Sequence, residues 1–254
     1  ISFLLKPDFS KIDGSVCLNA MGQSFYSLSI GMGCICTYAS YFSRRTNLSQ
    51  SAIQISVIDC LVAILAGLMI FPAAFSVGVQ PDSGPSLIYI TLPNVFQQAF
   101  SAVPFVGTIV SFAFYALMSL AALTSMISLH EVSTAFFQEE MHISRKRSAT
   151  IVSVSTSVIA IFCSLSLAGV DWLVIGGKSL FDWFDFVTGQ LFLPIVGFFA
   201  CLFIGWYVPK DIVRDEFTNW GTLRSSLYPV FLVCVRFVCP TGILLVFLNQ
   251  LGII

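Results

Sequence analysis

Residues 20–45 read AMGQSFYSLSIGMGCICTYASYFSRR. The run is long and apolar enough to cross a bilayer, which takes ~20 residues in one helix, and it closes on Arg44 and Arg45. It is nevertheless a poor continuous helix. Gly22, Gly31 and Gly33 fall inside it, together with Gln23, Ser24, Ser27 and Ser29. Each glycine costs about 1 kcal/mol against alanine in a helix interior. Gly31-Met32-Gly33 lies near the middle of the run, where unwinding would free backbone carbonyls. Such carbonyls are tolerated inside a membrane only where they line a cavity or bind something. A helix broken at the midplane points to a transporter binding site. The structural alternative is close helix packing through small residues, and spacing alone leaves both open.

The rest of the chain demands a bilayer as well. Of its 254 residues, 57% are hydrophobic and 10% charged, and the mean hydropathy is +0.90. Soluble domains carry about 25% charge. The net charge of -1 gives no basis for binding nucleic acid. Proline and glycine are scattered and mark no linker. Of the eight cysteines, Cys34, Cys36, Cys60, Cys163, Cys201, Cys234 and Cys239 lie in apolar runs, as small buried hydrophobes do. No H-E-x-x-H, G-x-S-x-G or Walker A pattern occurs, so no enzyme is expected. The opening on Ile1, with Lys6-Pro7-Asp8 soon after, predicts an internal start with upstream sequence missing.

Apolar runs and flanking charge predict six spans, at about 17–42, 52–77, 106–137, 150–168, 186–208 and 227–248. Positive charge orients them. Arg44 and Arg45, then Arg145, Lys146 and Arg147, then Lys210, Arg214 and Arg224 mark three cytoplasmic loops. The alternate loops carry only Lys178, so the first span enters from the exterior. The connection 80–100 holds a Pro-Asp-Ser-Gly-Pro turn and an apolar stretch, 87–96, broken by Pro93. That stretch is too short to span and predicts a helix lying over the outer face as a lid.

Polar groups inside the spans carry the remaining signal. Asp59 sits among Val57, Ile58, Leu61 and Val62. A carboxylate there costs at least ~2.5 kcal/mol without a proton, cation or polar partner. Thr124 and Ser125 follow Ala121-Ala122 in the third span. Hydroxyl and carbonyl oxygens suit a hard cation, although such hydroxyls also bond back to their own helix. His130 and Glu131, about two turns on, read as a gate, a proton site or a buried polar pair. Arg236 is expected to pair with a neighbour or to snorkel.

These residues carry a family likeness. The stretch 20–45 resembles the sixth transmembrane helix of the neurotransmitter:sodium symporters. SVIDCLVAILAGLMIFPAA resembles the seventh. LAALTSMISLHEVSTAFFQEE resembles the eighth, and ISRKR its cytoplasmic loop. FDFVTG is similar to the start of the tenth, and VRFVCPTGILLVF to the eleventh. The likeness runs from about Lys6 to Asn249.

The resemblance implies an all-α integral membrane fold, the second inverted repeat of a LeuT-like fold plus one further helix. Residues 1–254 would be a single membrane domain whose upstream repeat is missing. It implies Na+ as coupling ion and an apolar or aromatic L-amino acid as substrate. The remaining partners are the lipid bilayer and the N-terminal half of the same transporter, and the location is the plasma membrane, as a multi-pass protein of a bacterial inner membrane. Ala121, Thr124 and Ser125 would form half of a second sodium site. Ser27 and Asp59 would contribute to the first, where many members carry Asn in place of Asp59. Tyr26 would be the lid over the substrate, with Ser29, Gly31, Met32, Leu129 and Ser125 around it. Asp185 would complete an outer gate. Gln23 and Ala63 fall at the chloride position of chloride-dependent members. The competing readings are a biogenic-amine carrier of the same fold and a transport-dead sensor or accessory subunit.

Overall fold

A computed structural model describes residues 6, 9–43, 46–76, 87–221 and 227–253. Arg44, Arg45, Arg224 and the Pro-Asp-Ser-Gly-Pro turn lie outside them. Nine principal helices are named in chain order: α1 (Gly14–Ser27), α2 (Cys34–Ser40), α3 (Leu48–Ser76), α4 (Leu92–Ala99), α5 (Pro104–Glu139) and α6 (Arg145–Leu167), then α7 (Leu180–Tyr207), α8 (Lys210–Phe217) and α9 (Tyr228–Gln250). The described residues contain no β-strand, only one isolated bridge between Ile175 and Lys178. α3, α5, α6, α7 and α9 are each long and apolar enough to cross a membrane. The stretch expected as the first span is instead two short helices, α1 and α2.

The ends of these helices explain two departures from the sequence reading. Arg145, Lys146 and Arg147, expected in a loop, form the first turn of α6, entered through Ser144 in an extended conformation. Cationic residues disfavour a helix N-terminus, but Arg145 is paired with Glu131. Pro93 does not break its stretch. The helix runs through it, from a widened turn at Leu87–Thr91 straight into α4. Two other starts are capped. Asp13 accepts from the Val16 N–H at 2.9 Å. That bond, with one from the Ser15 hydroxyl, holds its carboxyl below the usual range. Ser179 and Asp182 form a reciprocal capping box at α7.

Proline also shapes the long helices. Four five- or seven-residue π-helical turns occur, at Leu87–Thr91, Phe186–Phe192, Phe203–Tyr207 and Cys234–Val238. Each ends two residues before a proline: Pro93, Pro194, Pro209 and Pro240. A proline cannot donate to the carbonyl four residues back, and its ring crowds that carbonyl. Widening the preceding turn relieves the crowding. The freed carbonyls belong to Tyr89, Gln190, Gly205 and Arg236. The Gly205 carbonyl has a new donor, Arg236 Nε at 2.6 Å, and the same guanidinium lies 5.7 Å from the Trp206 ring centre. Arg236 thus pairs with a neighbour, as one of the two sequence expectations held.

The chain divides into two compact units. One comprises residues 1–11 and 56–127, and so most of α3, all of α4 and the first part of α5. There Phe96 of α4 packs on Phe114 and Tyr115 of α5, and the Tyr115 hydroxyl donates to the Ile88 carbonyl at 2.8 Å. The other comprises residues 12–55 and 128–254. Its centre is α1 against α7 and α9, built on small residues. A Cβ on Gly22 would stand 3.4 Å from Val246 Cγ1, one on Gly197 3.1 Å from Phe25 Cε1, and one on Gly242 2.9 Å from Met21 Cε. Helices in lipid gain nothing by hiding apolar surface from one another, so close contact through glycine supplies the attraction. Leu193, Ile243 and Val246 are buried there, while much of the remaining apolar surface is exposed.

Candidate functional site

The connection between α1 and α2 holds three left-handed residues within five positions. α1 ends at Leu28, and Ser29 adopts a left-handed conformation at φ 53°. The Ser29 N–H donates to the Tyr26 carbonyl at 3.1 Å and the Ile30 N–H to the Phe25 carbonyl at 3.0 Å. This pair of bonds is a Schellman ending, which glycine usually serves. A serine there is strained by roughly 1–2 kcal/mol, and such strain clusters at functional sites. Gly31 and Gly33 follow at φ 88° and 82°. A Cβ on Gly31 would lie 2.5 Å from the Leu193 carbonyl oxygen, so α7 presses directly on the break. α2 then restarts with the Thr37 N–H donating to the Gly33 carbonyl. Among the described residues, the carbonyls of Leu28, Ile30, Gly31 and Met32 accept no backbone hydrogen bond. The break therefore presents oxygen ligands inside the span.

The residues of this unit singled out from the sequence lie on α1, α5 and α7 and in the break itself. Tyr26 is exposed over half its surface, and its ring lies 3.9 Å from where a Cβ on Gly189 would be, against the π turn of α7. Met32 is half-buried between the two left-handed glycines. Gln23 is exposed on α1. Leu129, on α5, is 48% exposed. Asp185 is exposed immediately before the first π turn of α7, with no ion-pair partner among the described residues.

In the other unit, Asp59 is half-buried on α3 and Ala63 lies one turn further along. Ala121, Thr124 and Ser125 share a face of α5 at i, i+3 and i+4. The Thr124 hydroxyl donates to the Ala121 carbonyl at 2.8 Å. That is the back-bond open to any helical threonine, and it also sets two oxygens side by side. Such a neutral oxygen pair suits a hard cation of low charge. No cluster of His, Cys, Asp and Glu able to hold a metal occurs among the described residues.

His130 and Glu131 do not pair with each other. His130 bridges to Ser153 of α6 at 2.9 Å and to Thr134 at 3.2 Å. Glu131 is held by Arg145 Nη2, at 2.8 and 2.9 Å to its two oxygens, and accepts from the Tyr41 hydroxyl at 2.9 Å. One turn away the Tyr38 hydroxyl donates to Ser128 at 2.7 Å. Tyr38 and Tyr41 are three apart, as are Ser128 and Glu131, so α2 is laced to α5 in one register. Sequence reasoning missed this lacing. The available signal was two tyrosines at i, i+3 in an apolar run, each with a hydroxyl that needs a partner.

Comparison with known proteins places this geometry. The profile of the Sodium:neurotransmitter symporter family matches residues 1–253. An uncharacterised sodium-dependent transporter, YhdH, of Bacillus subtilis (strain 168) is 33% identical over 255 residues, covering 100% of this chain and 55% of that protein. A sodium-dependent transporter of Haemophilus influenzae is 32% identical, covering 99% of this chain and 53% of that protein. The crystal structure of MhsT in complex with L-phenylalanine superposes with a TM-score of 0.83 at 37% identity, covering 98% of this chain and 55% of that one. The chain thus spans about half the length of the relatives it matches. The fold is all-α and membrane-embedded, the second repeat of a LeuT-like transporter with one further helix. The chain belongs to the sodium:neurotransmitter symporter family, whose members are multi-pass membrane proteins coupled to Na+ and not enzymes.

Proposed function

We propose that the chain is the C-terminal half of a sodium-coupled symporter of a bacterial inner membrane that imports apolar or aromatic L-amino acids by alternating access. Residues 1–254 act as one membrane domain with an N-terminal half that supplies the rest of each site. The observation that carries this reading is the break at 28–33. Its unpaired carbonyls and left-handed Ser29, Gly31 and Gly33 make a polar backbone site within an apolar span. Ser27 and Asp59 serve the first sodium ion. Ala121, Thr124 and Ser125 serve the second. Tyr26 covers the substrate, Ser29, Gly31, Met32, Leu129 and Ser125 line its pocket, and Asp185 forms part of the outer gate. Met32 is flexible enough to admit a large side chain. The L-phenylalanine in complex with the related MhsT supports a bulky apolar substrate. The sodium-dependent nutrient amino acid transporter 1 of Drosophila persimilis, a relative 24% identical over 99% of this chain, supports an amino acid as the substrate class.

The test uses the full-length transporter in proteoliposomes. Replacing both Thr124 and Ser125 with Ala should raise the sodium concentration needed for half-maximal uptake. An unchanged sodium dependence rejects the site. In the same vesicles bulky apolar and aromatic L-amino acids should compete best. Stronger competition by acidic or basic ones rejects the pocket.

A further inference from the structure

α7 and α9 run antiparallel with an unusually close seam, and the residues along it can be paired. Gly197 faces Ile243, whose Cδ1 would be 3.7 Å from a Cβ there. Gly205 faces Arg236, whose Cα would be 3.4 Å from a Cβ there and whose Cγ would be 3.0 Å away. Midway between these contacts, one turn from each, stand Cys201 of α7 and Cys239 of α9. The two thiols are near enough to interact across the seam. Both are free and half-buried. The glycines of α7 on either side explain the approach, because α7 has no side chain there to hold α9 off. The transport reading gives neither thiol a task.

We propose that Cys201 and Cys239 are an oxidisable dithiol that closes to a disulfide and staples α7 to α9. A disulfide needs Cα atoms about 4.4–6.8 Å apart, a spacing within reach of helices this close. The oxidant class follows from the location. A thiol pair within the hydrocarbon meets membrane-soluble oxidants rather than aqueous ones, and a lipid hydroperoxide is the apt two-electron acceptor. One thiol attacks the peroxide, its proton passing to the departing alkoxide as the O–O bond breaks, and a sulfenic acid and an alcohol form. The second thiol then attacks the sulfenic sulfur, and its proton leaves with the displaced hydroxyl as water while the S–S bond forms. Two thiols and one hydroperoxide thus give one disulfide, one alcohol and one water.

The staple acts on the site through α7, which also carries the Leu193 carbonyl against Gly31. Fixing α7 to α9 fixes that contact. This consequence rests on the transport reading, whereas the chemistry does not. The experiment exposes the full-length protein in membranes to cumene hydroperoxide and maps its peptides by mass. The expected product joins the Cys201 and Cys239 peptides, lighter by two hydrogens than their sum, and dithiothreitol reverses it. C201S and C239S should abolish the link and C234S should retain it. Absence of a link, or a link to Cys234, which lies near Cys239, overturns the proposal. Uptake should fall severalfold on oxidation, recover with dithiothreitol, and be insensitive in C201S. A link with unchanged uptake overturns the brake. A link in a protein that never transports leaves the dithiol standing and rejects the transport reading.

Discussion

Gly31 and Gly33 occupy nearly the same backbone conformation but different surroundings, which makes them a matched pair. At either position alanine costs roughly 1–2 kcal/mol for the left-handed conformation. At Gly31 the new methyl also meets the Leu193 carbonyl oxygen at 2.5 Å, a backbone atom that yields only if α7 moves. At Gly33 it meets Val132 Cγ1 at 3.2 Å, the end of a side chain that can rotate. Gly31→Ala should therefore abolish uptake and lower the thermal unfolding temperature of the solubilised protein further than Gly33→Ala does. Equal losses at the two positions would show that conformation alone, and not the press of α7, requires glycine. In the sequence the glycines marked either a break or a close helix contact, and the structure shows both. The left-handed Ser29 was not legible there, because serine is an ordinary residue in a membrane helix and nothing local marks it for a glycine's position.

At the scale of elements, proline and the π turn before it are one device used four times. Position in the sequence gives half of it: Pro93, Pro194, Pro209 and Pro240 stand in or at the end of apolar runs. The other half is what the helix does next: at Pro93, Pro194 and Pro240 it widens and continues. At Pro209 it widens and stops, with Val208 extended and the Gly205 carbonyl taken by Arg236. The reading that Pro93 breaks its stretch failed because the helix there widens and continues. The cost of a proline in a helix interior is about 3 kcal/mol when nothing adapts, and here the turn before it adapts. Pro194→Ala removes the need for the widened turn at Phe186–Phe192. The local helix should become more regular, so the thermal unfolding temperature of the solubilised protein should hold or rise. Uptake should fall, because Gly189 and Leu193 would no longer meet Tyr26 and Gly31 where they do now. Full uptake in this variant would separate the π turn from function.

For the whole molecule the governing question is charge. Two sodium ions held at the proposed sites would make a strong positive field where screening is poor, and something negative would have to stay when the substrate leaves. In the proposed site Asp59 supplies that charge from within the protein. Ala63, one turn along the same face, offers no group to ligate an anion. Uptake at fixed sodium should therefore be the same in chloride and in gluconate. A large loss in gluconate would reject the idea, and Asp59→Asn should impair transport in either medium. The membrane class and five of the spans were readable from composition and spacing, which left the broken helix as one of two alternatives. What could not be read were pairings made across distance, such as Tyr41 with Glu131 and Arg145. They depend on which helix faces come together, and apolar faces in lipid look alike.

The broken helix also imposes an order on biogenesis. α1 has 14 residues and α2 has 7, so at 1.5 Å per residue they rise about 21 and 10 Å, each short of a hydrocarbon core of about 30 Å. Neither can integrate as a finished transmembrane segment with the bare carbonyls of 28–33 facing lipid. The partner that covers the break, α7, is synthesised some 150 residues after it. Until then the nascent segment has to wait in the insertion machinery or cross as one unbroken helix that opens later. The backbone that makes the site thus cannot reach its final form before α7 has been made.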